Sequence, residues 1–431
     1  LSAGGFLWVF ADESLRRSDT GELDSDGNHA PDGILGPYHE KEGSFYAIRE
    51  IWSPVHMEKR YITPEFNGEF RIQNRFHYTS LENCNFRHKW LKFQGPAFQG
   101  NTVPGSMESA QVVEFGVPRV DPLQPGQHGI LQVGLFDGWQ SCDALYLEAM
   151  DPHGRLIHTW SWPVKPASGK AAELLPKTPG NAAVSISETG QSLSLESGPV
   201  RLEFSKKNGM LMRVESGNRL VPLSDGPVFR EDGVDLKKFS HKAGDQGHHV
   251  LAEFQGGALL EWVFYPGGIL DMNLRYHPQS RQIPHTGASF SFPESDSLRV
   301  TYLGKGPYRV WKNRMKGGEF KVWRKDHNHT ITGHSGFEYP EFKGYYANLY
   351  WVRISDRDEH QFTVYSKTDD LFLRLFTPEE APVPARTAVV HPAGDLGFML
   401  GIPAIGTKFK EAHELGPQSG MYHYDSRRVQ G

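Results

Sequence analysis

Apolar residues recur at every second position through most of the chain beyond about residue 56, the pattern of strands with one buried face. In one stretch, Leu145, Leu147 and Ala149 alternate up to a turn at residues 151–154. The return stretch places four residues on one face: Leu156, His158, Trp160 and Trp162. This pattern predicts a β-hairpin over residues 144–164.

Further strands of the same kind precede this hairpin. The stretch RIQNRFHYTSLENCNFRHKWLKFQG, residues 71–95, predicts two of them. Strands that recur every 8–12 residues over about 110 residues are typical of an immunoglobulin-like sandwich, which we place at residues 56–172. A stretch rich in Pro, Ala, Gly and Lys covers residues 165–183 and predicts a linker.

Residues 183–431 are again dominated by alternating apolar positions. Val200, Leu202 and Phe204 alternate up to an Asn208-Gly209 turn, and a second hairpin is expected to turn at residues 266–268. Strong helical periodicity is absent from this region of the sequence. The simplest expectation is one large sandwich made of two sheets.

The first 55 residues follow a different pattern. Residues 4–10, GGFLWVF, form an apolar run that predicts a buried strand, and a polar loop rich in Asp, Gly and Asn follows. Helical spacing then appears at Phe45, Ile48 and Ile51. Ser44 is the expected N-cap and Pro54 the expected stop of this helix. A single βα unit of this kind cannot bury both of its faces alone.

Composition narrows the possible partners. The formal net charge is −5, which gives no reason to expect nucleic acid or a membrane surface as a partner. No apolar run approaches the roughly 18–20 residues that a membrane span needs. Aromatic residues make up 12% of the chain, and such side chains both fill all-β cores and stack against sugars. The two cysteines, Cys84 and Cys142, could pair or remain free.

Few stretches carry chemistry of their own. The sequence has no phosphate-binding P-loop, no dinucleotide-binding glycine motif, no cysteine-rich zinc pattern and no nucleophile elbow. Asp12 and Glu13 are adjacent and would point to opposite faces of a strand, so they cannot be the paired carboxylates of a retaining glycosidase. In the polar loop, Asp24, Asp26 and Asp32 either gather around a cation or serve turns.

Three stretches, in this order along the chain, carry a resemblance to a known family. They are GGFLWVFADESL at residues 4–15, PDGILGP with SFYAIREIWSPV within residues 31–55, and YLGKGPYRVWKNR at residues 302–314. They are similar to a late barrel strand, to the last barrel helix and its exit, and to an element of the C-terminal sandwich in glycoside hydrolase family 2 enzymes of the β-galactosidase type. In the third stretch, Trp311 and Asn313 stand where that family has Tyr and Asp.

The resemblance implies a mainly β fold in three parts. Residues 1–55 would be the C-terminal end of a TIM-barrel, or (β/α)8, catalytic domain, and residues 56–172 an immunoglobulin-like β-sandwich. Residues 183–431 would be a large β-supersandwich of the β-galactosidase C-terminal type, which is also similar to galactose mutarotase. The barrel that precedes residue 1 would be a further partner of this chain.

The resemblance also implies an activity. It points to a retaining exo-β-glycosidase, β-galactosidase-like, that hydrolyses terminal β-linked sugars of oligo- or polysaccharides. The family's two catalytic Glu residues lie on earlier barrel strands, so this chain by itself is not expected to hydrolyse glycosides. A periplasmic or secreted location would suit polysaccharide degradation by analogy with the family.

Three site residues follow from the same resemblance. Trp8 matches a Trp that lines the sugar pocket, and Asp12 lies where barrel enzymes place functional side chains, as a substrate-binding residue or one that only orients its neighbours. Asp32 falls where family members use Asn to help hold a monovalent cation, so a monovalent or divalent cation could bind near it. No essential cofactor is expected in this chain.

Two other functions remain open at this point. The first is a non-catalytic carbohydrate-binding or assembly module made of the two sandwiches. The second is an epimerase-like activity of the large sandwich, which would need a His and a carboxylate facing one pocket. The sequence does not place that pair.

Overall fold

The structure is a computed structural model that describes residues 5–13, 15–24, 33–58, 61–100, 102–177, 180, 182–230, 233–277, 283, 285–293, 297–326, 343–357, 360–376, 393–407, 409–420 and 429–430. Asp26 and Asp32 lie outside these residues.

Strands dominate the described residues. Up to residue 163 they are β1 (Leu15–Arg16), β2 (Leu23–Asp24), β3 (Val55–Met57), β4 (Glu69–Asn74), β5 (Asn85–Phe93), β6 (Ala110–Gly116), β7 (Arg119–Val120), β8 (His128–Gln132), β9 (Ala144–Met150) and β10 (Leu156–Pro163). The next are β11 (Ser185–Glu188), β12 (Ser192–Ser197), β13 (Val200–Ser205), β14 (Leu211–Ser216), β15 (Arg219–Val221), β16 (Ser224–Val228), β17 (Leu236–Ala243), β18 (His248–Phe254), β19 (Leu259–Tyr265), β20 (Ile269–Tyr276) and β21 (Thr286–Ser291). The last are β22 (Ser297–Val310), β23 (Glu319–Asp326), β24 (Tyr345–Asp356), β25 (Gln361–Tyr365), β26 (Phe372–Leu375), β27 (Leu396–Gly401) and β28 (Val429–Gln430).

Helices are few in the described part of the chain. The α-helices are α1 (Gly43–Ile51) and α2 (Ala167–Leu174), and single 3₁₀ turns occur at Leu81–Asn83, Trp139–Ser141, Gln255–Gly257, Ala412–Glu414 and Pro417–Ser419. Among the described residues, no helix is long and apolar enough to cross a membrane. The predicted mainly β fold is therefore confirmed.

Contacts between residues divide the chain into two compact units. Unit 1 contains Leu1–Lys170, Val300–Val310 and Arg314–Arg353, and unit 2 contains Ala171–Arg299, Trp311–Asn313 and Ile354–Gly431. Each unit therefore combines stretches that are far apart in the sequence. The three predicted divisions, residues 1–55, 56–172 and 183–431, stay predictions.

In unit 1, two four-stranded antiparallel sheets enclose one core. Their strand orders are β3-β4-β8-β7 and β10-β9-β5-β6. Phe70 of the first sheet packs on Trp162 of the second, with ring centroids 4.7 Å apart, and Trp90 packs on Trp139 at 5.3 Å. Burial of such large aromatic side chains is the main stabilising term of a sandwich.

Later residues of unit 1 add strands in the order β24-β22-β23. They pack on the small sandwich through Phe93 and Phe320, whose ring centroids are 6.0 Å apart. The buried Tyr146 hydroxyl also donates to the carbonyl oxygen of Phe320 at 2.9 Å. Residues about 170 positions apart in sequence thus share one core in this unit.

The predicted hairpin at residues 144–164 is confirmed, with one correction. Strands β9 and β10 pair with Trp160 opposite Leu147 and Trp162 opposite Leu145, as the alternation indicates. The register shifts between Leu156 and His158, so Leu156 pairs with Met150 and leaves the face of the two tryptophans. A β-bulge inserts one residue and moves the side chains beyond it to the other face.

The predicted strand near the start of the chain is wrong. Residues 5–10 are irregular, and the only bridge of this segment is a parallel one between Ala11 and Leu35. Phe6 and Trp8 are exposed rather than buried. An apolar run forms a strand only where a neighbouring strand accepts its hydrogen bonds, and the described residues provide a single bridge.

Helix α1 lies where helical spacing predicts it, but its beginning differs. The N-cap is Glu42, whose side chain makes no capping hydrogen bond, and Ser44 lies inside the first turn. The Ser44 hydroxyl donates instead to the carbonyl oxygen of Gly33 at 3.4 Å. The side chain that would cap the helix is thus used to hold the preceding loop, which sequence spacing cannot reveal.

Unit 2 is also a sandwich. One sheet has the order β11-β12-β13-β14-β16-β21-β27-β26 in this unit, and the other has the order β17-β18-β19-β20-β28. Phe204 of the first sheet and Trp262 of the second meet with ring centroids 5.8 Å apart. The predicted hairpins with turns at Asn208-Gly209 and at residues 266–268 are confirmed as β13–β14 and β19–β20.

The predicted linker contains a helix, and the two cysteines do not form a disulfide. Helix α2 forms within residues 165–183, and the buried Lys170 on it donates to Asp143 at 2.8 Å. A buried ion pair therefore holds part of a stretch whose composition suggests only a linker. Cys84 and Cys142 are both free and buried in the core of the small sandwich.

Candidate functional site

An exposed aromatic surface lies on residues 6–10, the segment that carries Trp8. The Trp8 side chain is 85% exposed and Phe10 is 61% exposed, and Phe6 is fully exposed. The peptide bond between Trp8 and Val9 is cis. Large apolar side chains grouped in water are uncommon and mark surfaces that bind something. We call residues 6–10 the aromatic segment.

Backbone hydrogen bonds tie the aromatic segment to residues 33–35. The N–H groups of Ile34 and Leu35 both donate to the carbonyl oxygen of Phe10, at 3.2 and 3.1 Å. The N–H of Asp12 donates to the carbonyl oxygen of Leu35 at 2.9 Å. These bonds hold the aromatic segment at its C-terminal end while its side chains remain in solvent.

Asp12 is buried at this junction. Its Oδ1 accepts a hydrogen bond from the N–H of Gly33 at 2.9 Å, and its side chain is 8% exposed. A Cβ atom on Gly33 would lie 2.6 Å from the Asp12 nitrogen and 2.8 Å from the Leu35 oxygen, so only glycine allows this close approach. This placement favours the orienting role for Asp12.

Glu42 is a second buried acid at the same junction, and the sequence does not single it out. It precedes helix α1 and is 5% exposed. Burial, reinforced by the negative charges of Asp12 and Glu40, raises the pKa of Glu42 to about 9. Glu42 is therefore protonated at neutral pH. No motif marks it, because a lone Glu at a helix start ordinarily faces solvent.

Asp12 and Glu42 are two buried carboxyl groups whose charges interact. Both are buried, whereas the acid and the nucleophile of a glycosidase must reach a sugar from an open pocket. The exposed part of this site is the aromatic segment, which includes the Trp8 indole. A planar indole binds the apolar face of a pyranose by stacking.

No metal site emerges from the described residues. Within them, no group of three or more His, Cys, Asp or Glu side chains could hold a metal ion. Asp32 lies outside the described residues, so the cation expected near it stays a prediction. Asp24 lies in strand β2.

The GKGPY stretch contacts the helix that follows the aromatic segment. The Tyr308 hydroxyl donates to the carbonyl oxygen of Lys41 at 2.6 Å, and the rings of Tyr308 and Tyr46 lie 5.5 Å apart. Two of the stretches that carry the family resemblance, residues 31–55 and 302–314, thus meet in unit 1. The sequence shows the motifs but not that they touch.

Asn313, where the resembled family has Asp, is fixed in unit 2 by its amide group. Its Nδ2 donates to the carbonyl oxygen of Ile405 at 2.9 Å and to Ser419 Oγ at 3.0 Å. Its Oδ1 accepts from the N–H of Ile405 at 3.1 Å. An Asp carboxylate could accept but not donate, so the amide suits these partners.

Unit 2 holds imidazole–carboxylate pairs of the kind that an epimerase would need. His360 Nδ1 lies 2.9 Å from Asp356 Oδ2, and His249 Nδ1 lies 3.0 Å from Glu261 Oε1. The first pair lies at the turn between β24 and β25, and the second joins the neighbouring strands β18 and β19.

No known protein family matches the chain, and no curated protein matches it either.

Proposed function

We propose that this chain is part of a retaining exo-β-glycosidase of the family 2, β-galactosidase type, in which it supplies one wall of the sugar site and the accessory β-domains. The proposal rests on the three similar stretches and their order. One structural observation carries it further: Trp8, the residue matched to a sugar-pocket Trp, projects its indole into solvent.

The chemistry of the aromatic segment suits a sugar. Stacking needs a planar aromatic face that is open on one side and a backbone that does not move away, because flexibility costs binding free energy. Trp8 offers the face, and the bonds from Phe10 and Asp12 to residues 34 and 35 restrain the backbone. In this proposal Asp12 orients the segment, and the two catalytic carboxylates come from the barrel that is the chain's partner.

The finer fold assignments belong to the same proposal. The two small sheets with one core are compatible with an immunoglobulin-like sandwich at residues 56–172. The two sheets of unit 2 are compatible with a β-supersandwich within residues 183–431. The segment of residues 1–55 would be the end of the barrel, and a cation would bind near Asp32.

The test compares two exposed tryptophans of the first 55 residues. Methyl β-galactoside binding to the full chain is measured by saturation-transfer NMR, which detects weak ligands. We expect Trp8→Ala to weaken binding by about 1–3 kcal/mol, the scale of losing one aromatic anchor. Trp52, which is 61% exposed next to helix α1, is the matched control, and Trp52→Ala should bind as the wild type does.

Two outcomes would count against the proposal. The first is Trp8→Ala binding methyl β-galactoside as tightly as the wild type, or a wild-type chain that does not bind it at all. The second is hydrolysis of nitrophenyl β-galactoside by the chain alone, since both carboxylates are assigned to another part of the enzyme. Sugar binding that depends on unit 2 and not on Trp8 would favour a carbohydrate-binding module instead.

A further inference from the structure

We infer that Tyr308 and Glu50 are positioning residues for the aromatic segment: they fix helix α1, and α1 with its preceding loop fixes residues 5–13. The part of this inference that concerns sugar binding rests on the proposed function. The anchoring itself rests only on contacts within unit 1.

The first link joins the aromatic segment to the start of helix α1. Leu35 bridges Ala11 on one side and Lys41 on the other. The N–H of Gly36 donates to the carbonyl oxygen of Glu40 at 2.8 Å, which closes the loop between them. Residues 10–12, 33–36 and 40–41 therefore form one small hydrogen-bonded patch that leads directly into the helix.

Helix α1 is not fixed by burial in a core. None of its residues is fully buried, and residues 43–50 are all half-buried. Apolar packing sets a helix position firmly only where side chains interlock in a core. Specific polar contacts therefore add to the packing of α1, such as that of Tyr46 on Tyr308.

Glu50 supplies the first of these contacts. Its carboxylate accepts from Lys316 Nζ and from the N–H of Gly317, both at 2.7 Å. A Cβ atom on Gly317 would lie 2.5 Å from the Ala47 nitrogen, and its φ of +91° also requires glycine. Residues 315–317 therefore lie directly against the helix backbone, and Glu50 binds them there.

Charge strengthens this contact. Burial alone would raise the pKa of Glu50, but Lys305, with the bonds from Lys316 and Gly317, holds it below its usual value. The half-buried Lys305 ammonium in turn donates to the carbonyl oxygen of Met315 at 3.1 Å. Charge-assisted hydrogen bonds of this kind are stronger than neutral ones.

Tyr308 supplies the second contact, at the other end of the helix. The hydrogen bond from its hydroxyl to the Lys41 carbonyl oxygen restrains the hydrogen-bonded patch that holds the aromatic segment. A third contact fixes the rotation of the helix: Arg49 donates to the carbonyl oxygens of Ile157 and Leu156, at 2.9 and 2.7 Å. Contacts at both ends hold the helix in place. Loss of the contact at either end should therefore displace residues 10–12, which are bonded to the loop before the helix.

The experiment measures amide hydrogen exchange in the full chain for Tyr308→Phe and Glu50→Gln. We expect exchange at the Asp12 and Leu35 amides to rise about fivefold in both, the scale of losing one hydrogen bond. The matched control is Tyr350→Phe, because Tyr350 also donates its hydroxyl to a lysine carbonyl oxygen in unit 1, that of Lys165, at 2.8 Å. It should leave the Asp12 and Leu35 amides unchanged.

The same three variants are tested for methyl β-galactoside binding. A positioning role predicts weaker binding in Tyr308→Phe and Glu50→Gln and unchanged binding in Tyr350→Phe. Unchanged amide exchange at Asp12 and Leu35 in both Tyr308→Phe and Glu50→Gln would overturn the inference. Faster exchange in these variants with unchanged galactoside binding would also overturn it. If the wild type binds no galactoside, the proposed function fails, and the exchange rates still decide the anchoring.

Discussion

In the first 55 residues, the contacts and exposure of individual side chains depend on their neighbours in space more than on the sequence pattern. Trp8 could be singled out from its motif, and its exposure agrees with a binding role. Glu42 could not, because only the fold brings a second buried acid beside Asp12. The same holds for Ser44, which spacing suggests as a cap and which instead bonds to Gly33.

Glu42 leads to a pH-dependent prediction. Its pKa is about 9 in the folded chain and near 4.5 when unfolded, so between these values only the folded state keeps the proton. The unfolded state then binds fewer protons, so this group's contribution to stability is complete below pH 4.5 and is lost as pH rises towards 9. Glu42→Gln removes the ionisable group.

We therefore expect Glu42→Gln to unfold at a higher temperature than the wild type at pH 8, by an amount equivalent to about 5 kcal/mol, because each pH unit above 4.5 costs the wild type about 1.4 kcal/mol. The difference should disappear at pH 4. Thermal unfolding followed by circular dichroism at the two pH values measures it. Equal melting temperatures at pH 8 would mean that Glu42 ionises normally in the folded chain.

At the scale of elements, the sequence predicts hairpins well and irregular segments poorly. The β9–β10, β13–β14 and β19–β20 hairpins follow from alternation plus turn residues, because both signals are local. The run GGFLWVF has the composition of a strand, but strand formation depends on a partner that lies elsewhere in the fold. The sequence does not mark helix α2, because its buried contact joins Lys170 to Asp143, a residue outside the local pattern.

Helix α2 can be tested through its buried ion pair. Asp143 accepts from Lys170 and from the N–H of Phe93, and the two charged side chains are 2% and 3% exposed. Lys170→Met should lower the free energy of unfolding by about 3 kcal/mol, the low end for breaking a buried pair, because Lys165 remains 3.5 Å from Asp143. Denaturant unfolding gives the value.

Lys206→Met is the control for that variant. Lys206 pairs with Glu188 at a similar distance, 2.7 Å, but their side chains are 27% and 43% exposed. An exposed pair contributes at most about 1 kcal/mol. Equal losses for the two variants would show that burial does not set the strength of the Lys170 pair.

At the scale of the whole molecule, unit 1 combines residues that the sequence gives no reason to group. Val300–Val310 and Arg314–Arg353 share a unit with the first 170 residues. Strands β23 and β24 are buried on both faces, and their apolar sequences do not show which residues cover them, so the pattern alone cannot assign them to a unit. Local sequence patterns predict the fold class. The core to which a strand belongs depends instead on contacts between residues that are distant in the sequence.

This grouping predicts the behaviour of a fragment. Residues 1–170 alone would lose the partners of Tyr146 and Phe93 on β23 and the Lys316 and Gly317 partners of Glu50. We expect that fragment to unfold at lower denaturant than unit 1 does in the full chain and to bind a hydrophobic dye. A fragment as stable as the intact chain, by tryptophan fluorescence in urea, would show that the added strands are dispensable.

The two buried thiols have a practical consequence. Burial raises the pKa of Cys84 to about 11 and also raises that of Cys142, so neither is an appreciable thiolate at neutral pH. Since these are the only cysteines in the sequence, the native chain offers no reactive sulfur to a maleimide reagent. A cysteine introduced at an exposed position, such as Tyr38, would then carry a spin label or fluorophore at a single site.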